Sequence, residues 1–143
     1  MRSTPRPDVR EFFERYERAG QSLDAGVLTR CFAKQFLSLD SSSSQALTPA
    51  ALMAALPRRK ALFRSIGSDG LELNGLEETP LDDIHTLVWT SWMLRLRGES
   101  AHAPITLKST FVLRREHGEW RIVLYLNHQD MGKLFTSLSA DAA

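Results

Sequence analysis

The sequence predicts one α+β domain, in which several helices come before a mostly antiparallel sheet. A chain of 143 residues is one domain by size, and 43% hydrophobic with 24% charged residues is typical of a globular protein. Apolar residues recur at helical spacing in the first part of the chain, and from Leu71 onward they alternate as in strands. We therefore expect a folded core over about 8–131, with frayed ends at 1–7 and 136–143.

The first helix is predicted from its start signal and its apolar stripe. Asp8 is a good N-cap, and Glu11 three residues later completes a capping box. The charged residues of this segment lie mostly off the stripe, so they form its solvent side. The stripe that faces the core consists of Val9, Phe12, Phe13, Tyr16, Ala19, Gly20 and Leu23.

The segment before the sheet is predicted to hold two more helices and a short strand. Asp24 caps the second helix, and a strand over about 35–39 follows it. The serine-rich stretch 41–45 is predicted to be a loop. Pro49 starts the third helix at a position where its missing N–H costs nothing, and Pro57 is expected to break or kink that helix.

The remainder of the chain is predicted to form four strands, over about 70–78, 84–97, 105–116 and 119–129. The last two are joined by His117 and Gly118, a pair that suits a two-residue turn with positive φ. This turn sets the predicted register. In that register Leu113 faces Ile122, Phe111 faces Leu124, Ser109 faces Leu126, and Leu107 faces His128.

The strand over 84–97 is apolar on both faces, whereas an antiparallel strand covered on one side normally alternates. We therefore predict a homodimer that forms through the sheet. The length of the loop over 98–104 does not determine how this strand pairs. A register like that of the last hairpin puts Trp89 inside with Phe111 and leaves Trp92 in the dimer face.

Charge and hydropathy argue against two classes of partner. Lys and Arg number 18, Asp and Glu number 17, and a net charge of +1 predicts neither nucleic acid nor an anionic membrane surface as partner. No apolar run approaches the roughly 18 residues that span a bilayer. The N-terminal residues lack the apolar segment of a secretory signal, so we expect a cytoplasmic protein.

The sequence predicts neither a metal nor a cofactor. The four histidines lack the spacing of a zinc site, and the glycines are scattered rather than gathered in a phosphate-binding loop. The single cysteine, Cys31, falls within an apolar helical pattern, so we expect a buried thiol rather than a reactive one.

Two segments resemble the nuclear transport factor 2-like superfamily, whose members have the cystatin-like fold and include the SnoaL-like and ketosteroid isomerase-like proteins. The segment 22–33 is similar to the superfamily's helix-turn-helix with its capping aspartate, and Gly118 to Val123 is similar to the "Gly-x-Trp-x-Ile" start of its last strand. The resemblance implies a cone, in which helices pack on the concave face of a strongly curved mixed or antiparallel sheet around a central apolar pocket. Because the superfamily contains enzymes and non-enzymes, it does not by itself imply a function.

The resemblance also implies candidate catalytic residues. Tyr16 and Asp40 are separated like the oxyanion tyrosine and catalytic aspartate of ketosteroid isomerases, in which the aspartate moves a proton and the tyrosine donates to the enolate. Two features differ from that family. No second carboxyl group occurs over 109–111, and the serines of 41–44 stand where the family has Pro and Gly.

Two functions therefore remain open at the level of sequence. One is a metal-free, cofactor-free enzyme of the isomerase, cyclase or dehydratase type, which transfers a proton on an apolar carbonyl compound with Asp40 as base and Tyr16 as oxyanion donor. The other is a non-catalytic module that binds an apolar ligand or assembles as a dimer. In both, the residues expected to contact the ligand are Phe12, Trp89, Ser109, Phe111 and His128.

Overall fold

The computed structural model describes residues 1–97 and 104–142. In chain order its elements are α1 (Pro7–Ser22), α2 (Ala25–Cys31), β1 (Phe32–Leu39), β2 (Ser44–Leu47), α3 (Pro49–Ser65), β3 (Leu71–Pro80), β4 (His85–Leu94), β5 (Ile105–Glu116), β6 (Glu119–Asn127) and α4 (Met131–Ala142). The predicted loop over 98–104, with His102, falls outside the described residues except for Pro104.

The six strands form one mixed sheet in the order β2-β1-β6-β5-β4-β3. β1 and β6 pair in parallel, and every other neighbouring pair is antiparallel. The helices α1, α2 and α3 contact the sheet or one another and enclose a shared apolar core. This arrangement confirms the predicted α+β class, with helices packed against a mixed sheet.

The start of α1 differs from the prediction, because Asp8 is not its N-cap. Arg6 occupies the N-cap position and makes no side-chain capping bond. Asp8 lies in the first turn, where its Oδ2 accepts hydrogen bonds from Arg115 Nη2 at 2.6 Å and from Trp120 Nε1 at 3.0 Å. The carboxylate thus ties α1 to the β5–β6 hairpin instead of capping its own helix.

The predictions for the next segment are confirmed in part. Asp24 caps α2, because its side chain accepts a hydrogen bond from the backbone N–H of Val27. Pro49 begins α3 as expected, but α3 continues past Pro57, which lies on its exposed side. The predicted loop over 41–45 is shorter than expected, since Ser44 already begins β2 and pairs with the end of β1.

The predicted turn between β5 and β6 is confirmed. His117 and Gly118 have φ values of 52° and 79°, in the left-handed region that such a turn requires. Leu113 lies opposite Ile122, as the turn predicted. The register beyond this pair depends on more than the turn.

A β-bulge at Val123 shifts the rest of the hairpin by one residue. Past the bulge, Phe111 lies opposite Tyr125 and Ser109 lies opposite Asn127. Because side chains alternate along a strand, a shift of one residue exchanges the two faces of β6. The pairs predicted for this part of the hairpin were therefore wrong: Phe111 with Leu124, Ser109 with Leu126, and Leu107 with His128.

The same alternation decides which face of the central strands meets the helices. In β4 every second residue is buried, namely Thr86, Val88, Thr90, Trp92 and Leu94, and the residues that alternate with them are only half-buried. Val88 lies opposite Phe111, which packs against Phe13 of α1 at a ring-centroid distance of 5.0 Å. The face that carries Trp92 is therefore the inner face of the sheet. The half-buried residues, which include Trp89, lie on the outer face.

Both ends of the chain are more ordered than the predicted frayed termini. At the N-terminus, Ser3 forms a β-bridge with Glu78, and Arg6 makes a salt bridge to the same glutamate. At the C-terminus, Phe135 of α4 packs against Phe63 with ring centroids 5.2 Å apart. The folded core thus extends beyond the predicted limits of about 8–131.

Candidate functional site

A cavity of about 120 Å³ lies between the helices and the inner face of the sheet. Trp92 and Phe111 form its sheet side. The helices and the start of β3 supply the remaining apolar wall, which consists of Leu23, Leu28, Leu52, Leu56, Phe63 and Leu71. Such a cavity, largely apolar with few polar groups, has the character of a small-molecule site.

Three hydroxyl groups also line this cavity, those of Tyr16, Ser109 and Tyr125. The described part of the chain offers none of them a hydrogen-bond partner, and it leaves no fully buried side-chain polar atom unpaired. Each of the three hydroxyl groups therefore keeps some accessible surface, and the cavity that their residues line is a place where a ligand can reach them. The ring of Phe111 packs between the tyrosines, with centroids 5.8 Å from Tyr16 and 5.0 Å from Tyr125.

Tyr16 is a neutral hydrogen-bond donor at physiological pH. Burial raises the pKa of its hydroxyl well above the ordinary value of 10.0, and the nearby Tyr125 raises the pKa further, while Arg59 acts to lower it. Phe12 stacks almost parallel to the Tyr16 ring, at a centroid distance of 6.5 Å, and is 1% exposed. Phe12 therefore supports Tyr16 from behind and does not itself line the cavity.

Trp92 forms a fixed part of the cavity wall. Its Nε1 donates a hydrogen bond of 2.7 Å to Thr90 Oγ1, which in turn donates one of 2.9 Å to the backbone carbonyl of Ser109. The edge of its indole packs against Tyr16 at a centroid distance of 6.2 Å. The prediction that Trp92 belongs to the dimer face was wrong, because β4 turns this side chain inward.

Asp40 does not share the cavity with Tyr16. It follows β1, and its Oδ1 accepts hydrogen bonds from the backbone N–H and the hydroxyl of both Ser42 and Ser43, at 2.8–3.2 Å. These bonds, first of all that from the Ser42 N–H, lower the pKa of Asp40. The carboxylate thus closes the serine turn and is a weaker base than an ordinary aspartate. The structure does not bring the predicted base and the predicted oxyanion donor together.

The five residues expected to contact a ligand lie in three different environments. Phe111 and Ser109 line the cavity, and Phe12 lies behind it. Trp89 and His128 line a groove of about 530 Å³ on the outer face, where His128 Nε2 is 2.7 Å from Thr110 Oγ1. Their predicted inward placement was wrong, for Trp89 because Val88 pairs with Phe111, and for His128 because of the bulge.

Sequence reasoning missed most residues of the cavity, among them Tyr125, Arg59 and Lys60. Tyr125 was missed because the β-bulge that turns it inward cannot be recognised from the sequence of an apolar strand. The two cations had a usable signal, since Leu52, Leu56, Arg59 and Lys60 recur at the helical spacing of one face of α3. No cluster of metal-binding side chains and no helix suited to spanning a membrane occurs in the parts that the structure describes.

Several solved structures share this fold. Aln2 from a Streptomyces species aligns with a TM-score of 0.70 and 17% identity, over 94% of this chain and 99% of that one. An NTF2-like protein with a cystatin-like fold from Novosphingobium aromaticivorans aligns with a TM-score of 0.68 and 17% identity, over 92% and 86%. An NTF-2 like protein of unknown function from Shewanella oneidensis aligns with a TM-score of 0.67 and 15% identity, over 85% and 97%. At these identities the likeness shows the fold alone.

Comparison at the level of sequence gives the family. No curated protein sequence matches the chain. The family described as "NTF2-like protein (DUF6841)" matches residues 7–130, which span α1 to the end of the sheet and include every residue of the cavity wall. The chain therefore belongs to this NTF2-like family, as the resemblance of its helix-turn-helix and its last strand predicted.

Proposed function

We propose that this domain is a non-catalytic binding module for a small, largely apolar ligand that carries a hydrogen-bond acceptor such as a carbonyl oxygen. The observation that carries the proposal is a group of three hydroxyls, on Tyr16, Ser109 and Tyr125, whose residues line the cavity and which have no partner in the described chain. A closed core would not retain them, because a buried hydroxyl without a partner costs about 1–3 kcal/mol.

The apolar wall supports the same proposal. Contact with Trp92, Phe111 and the leucines removes apolar ligand surface from water, which contributes about 25 cal/mol for each Å². The hydroxyls then select among apolar molecules, because only a ligand with an acceptor satisfies them. Burial keeps Tyr16 protonated, so it donates a hydrogen bond without bringing a charge into the cavity.

Proton transfer is supported less well, because no carboxylate of the described cavity lining is without a partner. Asp40 is held in the serine turn. Two other residues with carboxylates, Glu17 and Asp69, line the cavity, and each carboxylate already has a partner in the protein. Glu17 accepts a hydrogen bond from the backbone N–H of Leu73, and Asp69 forms a salt bridge with Arg97. The geometry therefore favours binding over isomerase-type chemistry.

The test compares two probes of nearly equal shape, acetophenone and α-methylstyrene, by NMR titration of the labelled protein. We expect saturable shifts at Ser109 and Tyr125 with acetophenone. Tyr125→Phe should weaken acetophenone about fivefold, which corresponds to one hydrogen bond of about 1 kcal/mol, and should leave α-methylstyrene unchanged. Thr110→Val is the matched control, because this hydroxyl bonds His128 on the outer face. If neither probe saturates the cavity residues, the proposal fails.

Self-association through the outer face of the sheet remains our second proposal. Half-buried apolar side chains cover the middle of this face: Leu87, Trp89, Met93, Val112, Leu124 and Leu126. The bulge adds two leucines to the face, which the predicted register had placed inside. An antiparallel sheet that meets water on one side carries mostly polar residues there, so this composition supports burial against a second copy.

A further inference from the structure

The mouth of the cavity carries four charged side chains, and the two acids among them are already engaged. Glu17 bonds the backbone of β3, and Asp69 pairs with Arg97. The two bases, Arg59 and Lys60, form no salt bridge and no side-chain hydrogen bond with any part of the chain that the structure describes. The mouth therefore presents two cations whose charge the neighbouring acids leave unmatched.

Arg59 is placed to act on the interior of the cavity. It is half-buried on α3, and its guanidinium carbon lies 5.6 Å from the ring centre of Phe63, which belongs to the apolar wall. Its charge reaches Tyr16, since Arg59 lowers the pKa of that hydroxyl against the effect of burial. Arg58, the preceding residue, is exposed and does not line the cavity.

A half-buried cation without a counter-ion has a higher free energy than the same cation paired with an opposite charge. Removal from water weakens its hydration, and an opposite charge brought to the same place restores the lost free energy. A carboxylate suits the guanidinium of Arg59 especially, because its two oxygens accept two parallel hydrogen bonds. Lys60 adds a second, flexible ammonium group on the same rim.

We propose that the ligand of this cavity is a small amphiphilic carboxylate. Its anionic group pairs with Arg59 and Lys60 at the mouth, its apolar part packs on Trp92 and Phe111, and a further acceptor such as a carbonyl oxygen meets the hydroxyls of the interior. This inference rests on the proposed function, and it names the class of ligand. It also assigns Arg59 and Lys60 as the residues that select an anion over a neutral molecule of the same shape.

The test uses benzoate and benzamide, which differ in charge but hardly in size, on the wild-type protein and on Arg59→Gln, Lys60→Gln and Arg58→Gln. We expect benzoate to bind the wild type about tenfold more tightly than benzamide at low salt, a difference of about 1.4 kcal/mol. This preference should shrink to about twofold or less in Arg59→Gln and fall partly in Lys60→Gln. It should persist in Arg58→Gln, and salt should weaken benzoate alone.

Two results would overturn the inference, and they are distinguishable from a failure of the proposed function. Equal affinities of the wild type for benzoate and benzamide, with acetophenone still bound, would refute the anionic ligand and leave the binding module standing. An equal loss of preference in Arg58→Gln and Arg59→Gln would show that net charge, rather than the mouth of the cavity, selects benzoate. Absence of saturable binding by acetophenone, benzoate and benzamide alike would refute both proposals.

Discussion

Replacing Glu78 with glutamine should destabilise the fold by about 2–3 kcal/mol. Glu78 is 1% exposed on the inner face of β3 and is the only hydrogen-bonding link that the structure describes between the Arg6 side chain and the sheet. Its carboxylate accepts the backbone N–H of Arg6 at 2.9 Å, the Arg6 Nε at 3.1 Å and Nη2 at 2.6 Å, and the Thr86 hydroxyl at 2.5 Å. It therefore ties the N-terminal segment and the start of α1 to the sheet.

The magnitude follows from these four contacts. Oε2 receives the Arg6 side chain and Thr86, and Oε1 receives the Arg6 backbone. A glutamine keeps one acceptor oxygen, turns an NH₂ donor toward another donor, and removes the charge. Two weakened charge-assisted bonds at about 1.5 kcal/mol each give about 3 kcal/mol. The Arg6 side chain is 45% exposed and can be hydrated once unpaired, which reduces the loss toward about 2 kcal/mol.

The same carboxylate predicts how stability depends on pH. Burial by itself would raise the pKa of Glu78, but the hydrogen bonds from Arg6 and Thr86 outweigh it, and the pKa lies below its ordinary 4.5. The folded state therefore binds fewer protons than the unfolded state just below pH 4.5. The contribution of Glu78 is complete above that pH and is lost as the pH falls through the folded-state pKa.

Urea unfolding at pH 7 and at a series of lower pH values measures both effects. Glu77→Gln is the matched control, because this neighbour is 54% exposed and only 3.8 Å from an equally exposed Arg2, so its loss should stay below about 0.5 kcal/mol. The stability difference between wild type and Glu78→Gln should shrink as the pH falls below 4.5. A Glu78→Gln variant as stable as Glu77→Gln at pH 7 would refute the reasoning.

Two further predictions concern the proposals directly. Asp40→Asn should leave acetophenone affinity unchanged and lower the free energy of unfolding by less than about 1 kcal/mol, because all four hydrogen bonds go to Oδ1 and the amide oxygen can still accept them. Lost affinity in the NMR titration would contradict the placement of Asp40 outside the cavity. Sedimentation equilibrium should give a dimer for the wild type and a monomer for Leu126→Glu, which puts a charge on the outer face. Arg10→Glu, at an exposed position of α1 on the other side of the sheet, should stay dimeric. A wild-type chain that sediments as a monomer at every concentration would contradict the self-association proposal.

Predictions based on local chemistry succeeded where a few neighbouring residues determine the backbone. The Asp24 cap depends on a side chain and an N–H three residues apart, and the turn at His117 and Gly118 depends on two φ values. The Asp8 cap failed because a distant pair, Arg115 and Trp120, binds that carboxylate instead. A pattern of neighbouring residues cannot predict a hydrogen-bond donor that is far away along the chain.

The short strand β2 and the helix α4 were missed for a related reason. β2 is four residues long and gains its hydrogen bonds from β1, and α4 follows the sheet where a frayed end was expected. The packing of Phe135 on Phe63 supplies a contact that the sequence of the tail does not reveal. Both elements are stabilised by partners that become neighbours only in the folded chain.

The sequence by itself determined the α+β class, the order of the main helices and strands, the final turn and the family, because these follow from periodicity and short motifs. It also brought forward Tyr16, Ser109 and Phe111, all of which line the cavity. Only the tertiary structure decided which other side chains join them. One extra residue at Val123 turns Tyr125 inward and His128 outward, since a strand has a period of two and any single insertion exchanges its faces.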